Sequence, residues 1–160
     1  MDTDKSLRQH LVDLLRGGNA HAKFEDVIAD FPANLRGQKA SNLPHSAWMQ
    51  LEHMRIAQSD ILEFSRASKH KSPKWPEGYW PATDDPPSTA QWNASVKQFR
   101  ADLKEMEDLV NNPKTDLFAK IPWGDGQTIL REALLIADHN AYHVAQIVDV
   151  RRLLGAWDGK

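Results

Sequence analysis

"TILREALLIADHNAYHVAQIVDVRRLLG", residues 128–155, is the stretch that decides the fold of this 160-residue chain. Apolar side chains recur through it at intervals of three and four residues, which predicts an amphipathic helix from about residue 128 to about residue 154. Gly155 then supplies the residue type that commonly follows a helix end. Because both faces of this helix are largely apolar, we expect it to lie at the centre of the fold or at a subunit contact.

Three more helical segments precede this one, and the four together predict an all-α four-helix bundle. They cover about residues 3–31, 39–69 and 88–110. We expect Gly17 to break the first segment, Pro44 to lie in the first turn of the second and Ser88 to cap the third. No alternation typical of a β-strand extends far enough to predict one.

The segment between the second and third helices, residues 70–87, is rich in proline and aromatic residues. Loops of this length inside a compact domain are uncommon, and they are usually functional or disordered. Trp75, Tyr79 and Trp80 favour an ordered loop that packs on the bundle, because aromatic side chains bury large apolar areas. The two tryptophans are also candidates for the wall of a pocket.

Composition excludes several classes of function. The chain has 41% hydrophobic and 26% charged residues and a net charge of -2, without the clustered Lys and Arg that a nucleic-acid surface needs. Its first residues do not resemble a signal peptide, and no segment is apolar enough to span a membrane. It has no cysteine, so histidine and carboxylate must hold any metal. We therefore expect a cytoplasmic protein with no nucleic-acid or membrane partner.

His139 and His143 stand one turn apart on the last helix, so both imidazoles can reach a single ion. A pair at this spacing also arises by chance, and a buried neutral histidine can satisfy both ring nitrogens without a metal. Asn140 follows the first histidine, so the general base of the His-Glu-x-x-His metalloproteases is absent. The spacing by itself leaves a metal site and two core histidines as equal alternatives.

A third histidine favours the metal site. His53 lies in the middle of the second helix on an apolar stripe, and bundles build metal sites from side chains on facing helices. His45 lies about 80° round the helix from His53 and is expected at an end of the bundle. Three imidazoles leave a divalent ion with open positions for water or substrate, and they suit Zn, Ni, Cu or Fe.

Two stretches, "LPHSAWMQLEHMRIAQSDIL" at residues 43–62 and "GQTILREALLIADHNAYHVAQIVDVRRLLG" at residues 126–155, resemble the DinB-like superfamily of metal-binding bundles. The resemblance implies one DinB-like domain over residues 1–160, with a long crossover loop between the second and third helices. It implies that His53, His139 and His143 bind a divalent metal, usually nickel or zinc. It further implies frequent homodimers, and the superfamily is not known as a set of DNA-binding proteins.

Three polar residues are candidates for supporting roles at such a site. Glu132, two turns before the first histidine of the last helix, is a candidate catalytic residue, although a carboxylate in a first turn also stabilises the helix dipole. Gln146 and Asp60, one and two turns beyond a ligand histidine, are candidates for orienting its imidazole. Each of the three can equally be a packing or solvated residue.

Two functions of different kinds are compatible with these features. The first is a metal-dependent enzyme. The resemblance implies a transferase or an isomerase that uses a low-molecular-weight thiol, such as bacillithiol or mycothiol, and a metal hydrolase is the neighbouring possibility. Its small-molecule substrate is unassigned. The second is a non-catalytic protein that binds a metal or small ligand in a stress response or as an interaction module. A pocket open to solvent favours the first function, and a sealed site favours the second.

Overall fold

The computed structural model describes residues 3–157, and within this range it contains five α-helices and no β-strand. In chain order the helices are α1 (Thr3–Arg16), α2 (Phe24–Ile28), α3 (Ala47–Arg66), α4 (Thr89–Asn111) and α5 (Ile129–Leu153). Single turns of 3-10 helix at Ala33–Leu35 and Glu77–Tyr79 lie in the connections. The prediction of an all-α fold is confirmed. Among the described residues, none of the helices combines the length and the apolar character that a membrane span requires.

The four long helices form a bundle in which α1 and α3 each pack against both α4 and α5. The amino-terminal halves of α3 and α4 share one hydrophobic cluster with the carboxyl-terminal half of α5; it includes Leu51, Phe99 and Ile147. The opposite halves of these three helices share a second hydrophobic cluster with α1. This second cluster includes Leu62 of α3 and Met106 of α4. Helices α3 and α4 therefore run parallel, and α5 runs antiparallel to both.

This topology explains the long crossover loop, which is present as predicted. The 20-residue helix α3 is about 30 Å long, and a chain that leaves its end must return that far to begin a parallel neighbour. Residues 67–88 make this connection. Near its end the loop lies beside the start of α3, where the Ser46 hydroxyl donates to the Asp84 carbonyl at 2.5 Å.

A layer of buried polar side chains separates the two hydrophobic clusters. Gln58 of α3 donates to the Phe99 carbonyl at 2.7 Å and accepts from the Asn140 side-chain amide of α5 at 2.8 Å. Asp102, which lies between the α4 residues of the two clusters, is 4% exposed. Because unpaired polar groups are costly in a core, these hydrogen bonds fix the relative heights of the three helices.

Side-chain caps determine where α3, α4 and α5 begin. Ser88, as predicted, and Thr128 each accept a hydrogen bond from the backbone N–H three residues on, at 3.1 and 3.2 Å. The predicted start of the second helix is wrong. Ser46 caps that helix, which begins at Ala47, so Pro44 lies before the helix and not in its first turn.

Glycines in the left-handed region follow the first and last long helices. Gly17 has a φ of +66° directly after α1, which confirms the predicted break. Gly155 has a φ of +69°, and the N–H groups of Gly155 and Ala156 bond to the carbonyls of Arg152 and Arg151 at 3.1 and 2.8 Å. This pattern is a Schellman motif, and it satisfies the last carbonyls of α5.

Helix α5 is central in the bundle, because it packs against each of the other four helices. Ala137, Val144 and Val148 on its second apolar face are buried within the chain. The apolar breadth of α5 is therefore explained without a subunit contact. A homodimer stays a prediction that rests on the family resemblance.

Candidate metal site

Three imidazoles meet between α3 and α5, beside the buried polar layer. His53 projects from α3 and His139 and His143 from α5, and one ring nitrogen of each lies within 4.8 Å of the others. The Nε2 atoms of His53 and His139 are 3.1 Å apart. His53 and His143 are buried and His139 is half-buried. The structure thus brings together the three histidines that the helix faces and the resemblance select.

Hydrogen bonds hold two of these rings in one tautomer. Nδ1 of His53 lies 2.9 Å from the carbonyl of Tyr79, and Nδ1 of His143 lies 2.6 Å from Oε1 of Gln50. Both partners are acceptors, so each Nδ1 must carry the proton and donate it. Each Nε2 is then unprotonated and carries the lone pair with which a histidine binds a metal.

The surroundings also keep the three imidazoles neutral. Burial, reinforced by the charges of the neighbouring histidines, lowers the pKa of His139 to about 4 and that of His143 to about 3. Burial lowers the pKa of His53 as well, although its hydrogen bond to the Tyr79 carbonyl opposes the change. Near pH 7 a metal therefore competes with few protons for these nitrogens.

The crossover loop contributes an aromatic stack to the site. The indole of Trp80 lies between two imidazoles, with ring centroids 3.9 Å from His45 and 4.0 Å from His53. The planes of Trp80 and His53 differ by only 4°. Such stacking restricts the rotation of the His53 ring about its side-chain bonds.

Asp60 holds this part of the loop against α3. Its two carboxylate oxygens bond to the Tyr79 hydroxyl and to Nε2 of His70, both at 2.6 Å. Burial, followed by the hydrogen bond to Asp60, raises the pKa of Tyr79 to about 12, so this tyrosine stays protonated and donates to the carboxylate. Asp60 reaches His53 indirectly, because the carbonyl of the same Tyr79 accepts from the His53 ring.

An open cavity of about 590 Å³ adjoins the three histidines. Its wall comes from α5, the start of α3 and the crossover loop. The lining residues other than the three histidines are Leu43, Pro44, His45, Gln50, Trp75, Trp80, Tyr142, Gln146, Asp149 and Val150. Trp75 and Tyr142 are 70% and 64% exposed, so the cavity opens to solvent. Its volume lies within the range of small-molecule sites.

The family model described as the DinB superfamily matches residues 18–147 of the chain. The chain belongs to the DinB superfamily. The matched range contains His53, His139 and His143, and it leaves out α1, which completes the second hydrophobic cluster. No curated protein and no solved structure matches the chain.

Two of the three predicted supporting residues have a connection to the site of this DinB-superfamily protein. Gln146 lines the cavity, and its side chain opposes part of the lowering of the His143 pKa. Asp60 acts through Tyr79, whose carbonyl holds the His53 ring. Trp75 and Trp80 both line the cavity, as the sequence predicted.

Glu132, the candidate catalytic residue, lies elsewhere. It is 2% exposed and accepts a hydrogen bond from Arg131 at 2.8 Å, and it does not line the cavity. Its position two turns before His139 places it about 10 Å along α5, towards the second hydrophobic cluster. Its catalytic role stays a prediction that no contact in this structure supports.

Two residues of the site, Gln50 and His45, are not predicted from the sequence. Gln50 lies one turn before His53 on α3 and is 4% exposed. A polar side chain one turn from a candidate ligand on the same helix is the signal that could have found it. His45 lies just before α3, at that end of the bundle as expected, and it also lines the cavity. The reason is the crossover loop, which inserts Trp80 between His45 and His53.

The donor set fits a divalent metal ion. Two nitrogens that share one ion at a Zn–N distance of about 2.0–2.1 Å lie roughly 2.9–3.4 Å apart, and the Nε2 separation of 3.1 Å falls in this range. The same distance also suits an N–H···N hydrogen bond between the two rings if His139 carries its proton on Nε2. Measurement of bound metal separates these two arrangements.

Proposed function

We propose that this DinB-superfamily protein binds one divalent ion through His53, His139 and His143 and is a metal-dependent enzyme acting on a small molecule. The observation that carries the proposal is the position of three neutral imidazoles, two with their tautomers set, on the wall of a 590 Å³ open cavity. Nickel and zinc are the proposed ions, because both accept imidazole nitrogen and both are usual in the superfamily that the sequence resembles.

The open cavity favours an enzyme over a non-catalytic binding protein. A structural zinc site usually has four protein ligands and is closed, whereas a catalytic site has three and leaves a position for substrate. Only three candidate ligands meet here, and no carboxylate or further histidine joins the group among residues 3–157. The cavity next to them gives a small molecule access from solvent.

Among metal-dependent reactions we propose the transfer of a low-molecular-weight thiol to an electrophilic substrate. A divalent ion supplies a Lewis acid that favours the ionised form of a bound thiol or water. Hydrolysis usually needs a general base beside the attacking water as well. Asp149 is the sole carboxylate among the described lining residues, and Glu132 does not reach the cavity. Thiol transfer places less demand on such a base, because a thiol ionises far more readily than water.

Cobalt substitution tests this proposal on the thiol alone, whatever the electrophile is. Thiolate bound to Co(II) gives an intense near-ultraviolet charge-transfer band, and the protein has no cysteine to produce one itself. We expect the band when mercaptoethanol, bacillithiol or mycothiol is added to the Co(II)-loaded protein. The variant His139→Ala/His143→Ala should neither hold Co(II) nor show the band.

The opposite outcome is equally clear. Co(II) bound by His53, His139 and His143 without any band at millimolar thiol would contradict the thiol-transfer proposal. The metal site would then stand, and hydrolysis or metal binding without turnover would take its place.

A further inference from the structure

The charges around the cavity are not balanced. Asp149 is the only acidic residue among its described lining, and no Lys or Arg of residues 3–157 lines it. His45 adds no positive charge there, because burial, with the nearby Lys39, lowers its pKa. Lys39 is itself paired with Asp84 at 2.8 Å. A carboxylate or phosphate on a bound molecule would therefore find no cationic side chain in this wall.

Asp149 stands at a defined distance from the histidines. It lies six residues beyond His143 on α5, which corresponds to about 9 Å along the helix axis, with Gln146 between them. A molecule whose one end reaches the three imidazoles and whose other end reaches Asp149 must therefore be extended. The lining residues Trp75 and Tyr142 add exposed aromatic rings, and aromatic faces attract cations.

The existing partner of Asp149 is exposed and lies outside the cavity. Arg152 Nη1 lies 3.5 Å from the Asp149 carboxylate, and both side chains are about 60% exposed. Ion pairs of this kind contribute little, since water and salt screen them. Arg152 lines a separate depression on the other side of Asp149 and not the cavity beside the histidines.

We propose that the cavity selects a thiol whose far end is cationic or uncharged, such as an aminothiol, and that Asp149 is the residue that selects it. This inference rests on the proposed thiol site. A divalent ion bound by the histidines does not reverse the preference. The thiolate of the ligand cancels one of the two positive charges of the ion. The ion also lies roughly twice as far from the far end of the ligand as Asp149 does. Its Coulomb energy with a charge at that end is therefore about half that of Asp149.

A matched series of thiols tests the inference. Aminohexanethiol, mercaptohexanol and mercaptohexanoic acid have the same six-carbon chain and nearly the same thiol acidity, and they differ in the charge of the far end. Their dissociation constants for the Co(II)-loaded 160-residue protein are read from the thiolate-to-cobalt band at about pH 7.5. We expect the amine to bind roughly threefold more tightly than the alcohol, and the acid roughly threefold more weakly.

Three variants assign the effect. Asp149→Asn should remove most of the difference between amine and acid, and Arg152→Gln should widen it. Asp108→Asn makes the same charge change on the exposed surface of α4, where Asp108 pairs with Lys104, and should leave the series unchanged.

The outcomes are distinguishable. Equal or tighter binding of the acid by the wild-type protein overturns the inference, and a preference that survives intact in Asp149→Asn overturns the role of Asp149. Absence of the band with all three thiols contradicts the proposed thiol site, and the charge selectivity that rests on it falls with it.

Discussion

Acidification of the metal-free protein should reveal the buried histidines as a loss of stability. In the folded chain the pKa values of His139 and His143 are about 4 and about 3, mainly because burial disfavours the charged ring. In the unfolded chain both return to the ordinary value of 6.5. Above that value neither state is protonated, and the two histidines do not affect the free energy of unfolding. Below it the unfolded chain binds protons that the folded chain refuses, so stability falls as the pH falls.

The magnitude follows from the two pKa values. One pKa unit corresponds to about 1.4 kcal/mol, and about pH 5 lies about 1.5 units below the ordinary histidine pKa but above both folded values. Each histidine therefore lowers the free energy of unfolding by about 2 kcal/mol between about pH 8 and about pH 5, and the pair by up to about 4 kcal/mol. This is a large share of the roughly 5–15 kcal/mol that stabilises a typical domain.

Chemical denaturation in the presence of a chelator measures this loss. The wild-type protein and the variant His139→Gln/His143→Gln are unfolded in urea at both pH values. Titrating groups remote from the site affect both proteins alike, so the difference between their pH-dependent losses isolates the two imidazoles together with their coupling to His53. We expect the wild type to lose about 2–4 kcal/mol more than the variant. Equal losses, within about 0.5 kcal/mol, would refute the buried, neutral state of these histidines.

Three further predictions concern the surroundings of the site and the core. Asp60→Asn should weaken zinc affinity roughly tenfold by loosening the Tyr79 carbonyl that holds His53, as a chelator competition assay would show; unchanged affinity would remove Asp60 from the site. Gln50→Leu should weaken zinc affinity by roughly tenfold to a hundredfold, because the His143 ring loses the hydrogen bond that fixes its tautomer. A wild-type affinity measured by calorimetry would contradict this. Ile136→Ala, at a fully buried position, should cost about 2–5 kcal/mol in urea denaturation. Leu134→Ala, at a 42% exposed position of the same helix, serves as its control and should cost far less.

The sequence predicted those features of the fold that local chemistry decides. Helix periodicity located the four long helices. A serine side chain predicted the start of α4, because an N-cap hydroxyl accepts a hydrogen bond from a backbone N–H of the first turn. The start of α3 was predicted too early. Two residues that commonly begin a helix, Pro44 and Ser46, lie close together there. The structure shows that Ser46 is the cap, because its hydroxyl accepts from the Met49 N–H at 3.2 Å.

Helix periodicity also selected the three histidines, but it could not predict which polar residues on the same faces contact the site. Glu132 and Asp60 each lie two turns from a ligand histidine on the same helix face, so the sequence treats them alike. The structure separates them, because the crossover loop brings Tyr79 and His70 to Asp60 and nothing comparable to Glu132. The loop has no regular period, so its contacts with the site could not be predicted from the sequence.

Metal content is the most direct measure of whether His53, His139 and His143 form a metal site. The untagged protein is analysed by mass spectrometry as purified and after incubation with zinc and nickel, beside His53→Ala and His139→Ala/His143→Ala. We expect about one equivalent of a divalent ion in the wild type and its loss in both variants. Wild-type protein that holds no ion even after incubation, or a His53→Ala variant that keeps full occupancy, would contradict a metal site built from these three histidines.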